Sequence, residues 1–170
     1  MAQLSRSLMI ATALLVLSAC AKKEPEELPP APVETARPVE TAPAPAGPVK
    51  GSQEDFVASV AADRVYFDTD KFDIDAQDQA TLQSQAQWLV ANPTVRVTIE
   101  GHCDERGTRD YNLALGERRA NAAKNALAGM GIDPSRITTI SYGKERPAAL
   151  GSDEQAWAQN RRAVTVTISY

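Results

Sequence analysis

The pattern of apolar and polar positions divides the chain into three unlike parts. A near-continuous apolar run extends from Leu8 to Leu17. Residues 21–53 carry neither a helical nor a strand period. The remainder alternates between segments of period two and segments of helical period. Arg64-Val65-Tyr66-Phe67 predicts a short strand. Asp75 is placed to cap a helix running to about Ala91, with Ile74 before it and Asp78 near its positive end. Leu82, Ala86, Leu89 and Val90 give that helix its apolar face, and Asn92-Pro93 ends it. Arg96 to Glu100 alternates cleanly and predicts a second strand. Thr108 is placed to cap a long helix to about Ala128, closed by Gly129 and Gly131. Ile137–Tyr142 predicts a third strand, Asp153 to about Arg161 a short helix, and Val164–Ile168 the last strand. Strands interleaved with helices predict helices packed on one face of a mixed sheet.

Composition narrows the function classes. The chain has 170 residues and a net charge of −4, so no basic surface points to nucleic acid. Two cysteines, Cys20 and Cys103, make no disulfide framework. His102 is the single histidine. Zinc needs three or four converging ligands, and neighbouring residues on a strand point to opposite faces, so His102 and Cys103 are not expected to converge. The aspartates between Asp63 and Asp78 miss the spacing of a calcium loop. No metal, no cofactor and no catalytic residue is expected. Trp88 and Trp157 read as packing residues.

The first nineteen residues read as an export signal. Arg6 is their only charge, and the apolar run is far shorter than the ~20 residues of a membrane-spanning helix. The boundary Leu17-Ser18-Ala19-Cys20 resembles the lipobox of bacterial lipoproteins, which implies cleavage before Cys20 and lipidation of that residue. Ala21 follows, rather than the aspartate that retains enteric lipoproteins in the inner membrane, which implies outer-membrane sorting. Two or more acyl chains anchor stably, at ~0.8 kcal/mol per buried methylene. Residues 20–53 then form a linker: eight of the eleven prolines lie between Pro25 and Pro48, and this composition supports no packed core. Some 30 residues of such a tether reach at most ~90 Å. The folded domain is expected over residues 54–170, and roughly 115 residues bury a sufficient core without disulfides.

The most informative segment is GHCDERGTRDYNLALGERRANAAKNAL, residues 101–127. The second strand delivers Asp104 to a loop that Gly107 lets turn. Asn112, Leu115 and Arg119 follow at spacings of three and four, on one face of the long helix. Asp104 and Arg119 can therefore converge on one cleft. A carboxylate and a guanidinium held apart suit a ligand end bearing both an ammonium and a carboxylate. Spacing alone equally permits Asp104 and Arg119 to pair with each other, or with Arg106 and Glu117. Arg118, about 100° away around the helix, is expected to face elsewhere. Arg119→Ala and Asp104→Ala are each expected to abolish most binding without unfolding the domain.

The run GHCDERGTRDYNLALGERRA resembles the signature of the OmpA-like peptidoglycan-binding domain, and within that family the peptidoglycan-associated lipoproteins of Tol–Pal systems. VYFDTDKFDI, SYGKERPAALG and NRRAV extend the resemblance over residues 64–170. The resemblance implies an OmpA-like two-layer α/β sandwich, with helices on one face of a mixed four-stranded sheet, preceded by a disordered Pro-rich tether. It implies non-covalent binding of the peptide stem of peptidoglycan through meso-diaminopimelate. The family's ligand-holding Asp and Arg fall on Asp104 and Arg119, and its helix-start Asn on Asn112. Asp70, Phe72 and Asp73 line the cleft from the loop after the first strand, and Asn160 and Arg161 face the same pocket. Cys103 departs from the Ala or Thr usual there and is expected to be a free thiol. TolB is the implied protein partner, on a surface overlapping the cleft. TolA, OmpA-type proteins and outer-membrane lipid are further partner candidates. The implied location is the outer membrane, with the domain in the periplasm. The alternative is a wall-anchoring lipoprotein of the same family with no Tol role. A cell-wall hydrolase is disfavoured, because no metal site, triad or paired-carboxylate cleft is evident.

Overall fold

The computed structural model describes residues 47–168. The expected signal at 1–19, Cys20 and the linker as far as residue 46 lie outside the described residues. The elements run α1 (Gln53–Ser59), β1 (Arg64–Tyr66), α2 (Ala76–Ala91), β2 (Arg96–His102), α3 (Arg109–Gly129), β3 (Ile137–Gly143), α4 (Glu154–Asn160) and β4 (Arg162–Ile168). A 3-10 turn, Pro134–Arg136, precedes β3.

The strands form one mixed sheet in the order β1-β4-β2-β3. The β1–β4 and β2–β4 pairs are antiparallel, and β2–β3 is parallel. The helical crossover through α3 supplies the connection that parallel strands require. On one face of the sheet, Leu82, Ala86 and Leu89 of α2 and Ala120, Ala123 and Leu127 of α3 meet Val65, Val97, Ile99, Ile137 and Ala163. Each fully buried Leu or Ile side chain contributes roughly 1.5–3 kcal/mol.

The caps expected from sequence form. Asp75, Thr108 and Asp153 each accept a hydrogen bond from the backbone N–H three residues on. The last strand starts two residues earlier than its alternation indicates, at Arg162, because Arg162 pairs with Tyr66. The helix α1 has no counterpart in the sequence reading. Ser52 caps it, Phe56 enters the core edge-on to Trp88 at 5.0 Å, and the Gln53 side chain accepts from Thr167 N–H. One apolar anchor in seven residues leaves no period to detect.

Two polar ties set element positions. Gln85 of α2 donates to Ala62 O and accepts from the Thr165 hydroxyl. Arg136 donates to Leu89 O, Asn92 O and Val95 O, which satisfies carbonyls at the end of α2.

Candidate functional site

The chain leaves β1 and β2 at the same end of the sheet, and the two following loops face each other there. Gly107, at φ 85°, turns the β2–α3 loop into α3. Lys144 donates to Glu105 O and Gly107 O and fixes that loop from outside. Between the loops and the first turns of α3 lies a cleft of about 290 Å³. Asp70, Asp104, Arg106, Tyr111, Asn112 and Arg119 give it its polar lining, and Leu115 an apolar wall.

Asp104 lies on the cleft floor and is buried. Both its oxygens accept from the Arg106 guanidinium, at 3.2 and 2.6 Å, and Oδ1 also accepts from Arg106 N–H. Arg161 approaches from beneath at 3.5 Å. Burial opposes the charge on Asp104, but the hydrogen bonds from Arg106 and Arg161 outweigh it and hold the pKa below the usual carboxylate range. Asp104 is therefore an anion at neutral pH.

Arg119 is fully buried. Nε donates to Lys71 O, Nη1 to His102 O and Nη2 to Asp68 O. The guanidinium thus staples the β1–α2 loop to the end of β2. It also lies over the Phe67 ring at 5.2 Å. A guanidinium carries five N–H donors. These three bonds leave two N–H groups outside the staple. Asp104 and Arg119 line one cleft, as the helical spacing predicts, but neither pairs with the other; Asp104 pairs with Arg106, the second option that spacing left open.

The buried Asn112 donates to Arg106 O at 2.7 Å and holds the loop onto α3. Its own carbonyl accepts from the Cys103 thiol at 3.3 Å. Cys103 is a free, buried thiol whose pKa burial pushes up to about 11. Asp70 sits at the rim with φ 60°, a left-handed conformation that Asp tolerates better than most residues. It accepts from the Tyr111 hydroxyl at 3.1 Å, and the same bond raises the pKa of Tyr111.

The other expected site residues lie around the cleft and not in it. Asp73 and Arg161 line a separate cavity of about 460 Å³ on the far side of the β1–α2 loop. Arg161 still reaches the site from below: it donates to Phe67 O, to Asp104 and to Glu154. Asn160 holds the 148–149 backbone, accepting from Ala148 N–H and Ala149 N–H and donating to Ala149 O. The shared asparagine-arginine run therefore splits into one loop clamp and one support for Asp104. Phe72 is exposed outside the cleft, with the Arg118 guanidinium 6.0 Å from its ring. Arg118 is exposed on another face of α3 than Arg119, as expected.

Sequence reasoning named Arg106 only as a possible partner of Asp104, read Trp157 as a packing residue and did not single out Tyr111. Arg106 packs its guanidinium 4.2 Å over the Trp157 ring, and Trp157 Nε1 donates to Glu105. Arg106 and Tyr111 both stand within the informative run, but Arg106 lies in a loop with no periodicity from which orientation can be read, and Tyr111, in the first turn of α3, lies outside the Asn112–Leu115–Arg119 spacing. His102 points away from the cleft, beside Glu100 at 3.6 Å and Tyr142 at 5.6 Å, so it does not converge with Cys103 on one site. Among the described residues no three His, Cys, Asp or Glu side chains gather to hold a metal, and no helix is long and apolar enough to cross a membrane.

Comparison with known proteins follows the same segment. The model of the OmpA family matches residues 66–161. A peptidoglycan-associated lipoprotein of Agrobacterium fabrum is 59% identical over 116 residues, covering 68% of this chain and 65% of that protein. The peptidoglycan-associated lipoprotein of Pasteurella multocida is 37% identical over 164 residues, 96% of this chain and 98% of its own. The crystal structure of the peptidoglycan-associated lipoprotein from Burkholderia pseudomallei superposes with a TM-score of 0.62 at 48% identity, over 64% of this chain and 92% of that one. The C-terminal domain of Helicobacter pylori MotB shares the fold, with a TM-score of 0.59 at 18% identity.

Proposed function

This chain belongs to the OmpA family, in the branch of the peptidoglycan-associated lipoproteins, and from that premise we propose that it is a lipid-anchored tether whose folded domain binds peptidoglycan without chemical conversion. In this reading residues 1–19 are removed as the export signal, Cys20 carries the lipid, residues 20–53 span the gap, and residues 54–170 bind the wall.

The supporting observation is the charge pattern of the 290 Å³ cleft. Two carboxylates, Asp70 and Asp104, and two guanidiniums, Arg106 and Arg119, share one lining. A zwitterionic amino-acid end, such as the free end of meso-diaminopimelate, finds a partner of opposite sign for each of its two charges. Asp104 takes the ammonium, and the uncommitted N–H groups of Arg119 face the carboxylate. Asn112 and Leu115 complete the wall, and Arg161 supports Asp104 from below. Asp70 stands at the entrance, Phe72 and Asp73 belong to the loop that carries it, and Asn160 secures the neighbouring loop.

TolB is the proposed protein partner, on a surface overlapping the cleft, so that wall binding and TolB binding exclude each other. The proposed setting is the periplasmic side of the outer membrane, within a Tol–Pal system serving envelope integrity and cell division.

Co-sedimentation with purified sacculi tests the reading. The protein is expected to pellet with sacculi and to be released by free meso-diaminopimelate. Binding that free meso-diaminopimelate leaves intact overturns the assignment of the cleft. A TolB pull-down that fails while sacculus binding persists identifies a wall anchor with no Tol role.

A further inference from the structure

We propose that Arg106 is a specificity-determining latch: it holds Asp104 from within, and only a ligand end that brings both an ammonium and a carboxylate displaces it productively. The inference rests on the wall-binding reading above and assigns its selectivity to one residue.

Three contacts carry it. Arg106 covers both oxygens of Asp104, at 3.2 and 2.6 Å. Its Nη2 also reaches the Thr69 hydroxyl across the cleft at 3.3 Å, so the side chain bridges the two loops over the floor. Its guanidinium sits 4.2 Å from the Trp157 ring centroid while it holds Asp104, so the indole reports on the position of the arginine. The Arg106 side chain is 39% exposed, whereas that of Asp104 is 9% exposed, so the arginine is the partner that can move.

An incoming ammonium gains Asp104 only by breaking the Arg106 bonds. A ligand end with an ammonium alone, such as a lysine side chain, exchanges one charge-assisted contact for another and leaves a guanidinium unpaired beside it. A diaminopimelate end also brings a carboxylate, which receives the released guanidinium on the same side as Arg119. Charge is balanced before and after, and the exchange favours the zwitterion.

The test uses the full-length protein in detergent, with soluble stem peptides ending in meso-diaminopimelate or in lysine. The wild type is expected to prefer the diaminopimelate stem. In Arg106→Gln the preference is expected to narrow by about tenfold, chiefly through tighter binding of the lysine stem, the scale of one charge-assisted contact. Arg106→Lys, which keeps the charge and loses the fork, is expected to fall between. Indole emission is expected to change on binding in the wild type and not in Trp157→Phe, since Trp88 is buried in the core. An unchanged preference in both Arg106 variants, or an emission change that survives Trp157→Phe, overturns the latch and leaves the wall-binding reading intact. Failure of the wild type to bind either stem overturns both.

Discussion

Gly101 of β2 and Gly116 of α3 cross with no side chain between them: the Gly116 carbonyl occupies the place that a Cβ on Gly101 would need. The contact lets α3 lie directly on the strand that ends in Asp104, and it fixes how far Arg119, three residues further along the helix, stands from the β1–α2 loop.

Gly101→Ala is therefore expected to destabilise the domain by about 1–3 kcal/mol or more, because the obstacle is backbone and cannot swing away. Gly129→Ala is the control. Nothing lies within 4 Å of its added Cβ, and a gain of roughly 0.5–1 kcal/mol is expected. Urea denaturation of both variants measures the difference.

Arg119→Ala is expected to cost about 3 kcal/mol or more, since it strips a hydrogen bond from the carbonyls of Lys71, Asp68 and His102 together. This revises the expectation that the substitution spares the fold. Loss of wall binding in this variant must be read beside its unfolding midpoint. Arg118→Ala, on the exposed face, is expected within about 0.5 kcal/mol of wild type.

His102 gives stability an acid-side slope. Burial first, then the positive charges of Arg162, Arg146 and Arg64, lower its pKa from 6.5 to about 4. Glu100, 3.6 Å away, is the facing carboxylate. Neither ring nitrogen has a hydrogen-bond partner. With the folded pKa below the unfolded one, the unfolded chain binds the proton first. This contribution is constant above about pH 6.5 and falls between pH 6.5 and 4, by about 3 kcal/mol in all. His102→Gln is expected to flatten urea midpoints between pH 7 and 5. An unchanged slope refutes the assignment.

Cys103 is expected to be inert while the domain is folded. Its thiol is buried, donates to Asn112 O and titrates near 11. In a Cys20→Ser background, a chromogenic disulfide is expected to react at Cys103 only once denaturant unfolds the domain.

Elements and caps were legible in the sequence because they are local. Asp75, Thr108 and Asp153 act on a backbone N–H three residues away, and the alternation of Arg96–Glu100 needs only its own neighbours. The helical spacing also put Asn112, Leu115 and Arg119 on one face and turned Arg118 aside. The helix α1 escaped because its anchor, Phe56, is recognisable only against Trp88, more than thirty residues away.

Tertiary structure decided how the charges are shared. Spacing allowed Asp104 and Arg119 to pair with each other, or Asp104 with Arg106 and Arg119 with Glu117. The loop geometry made Arg106 its partner and committed Arg119 to three carbonyls, two of them in a loop about fifty residues upstream. Asn160 and Arg161 are adjacent in sequence yet serve different loops, because the chain passes from α4 into β4 between them. Periodicity fixes which face of an element a residue occupies. Which charged group pairs with which depends on distances of a few ångströms between segments remote in sequence, and those exist only once the sheet, the helix crossing at Gly101 and Gly116, and the two loops are in place.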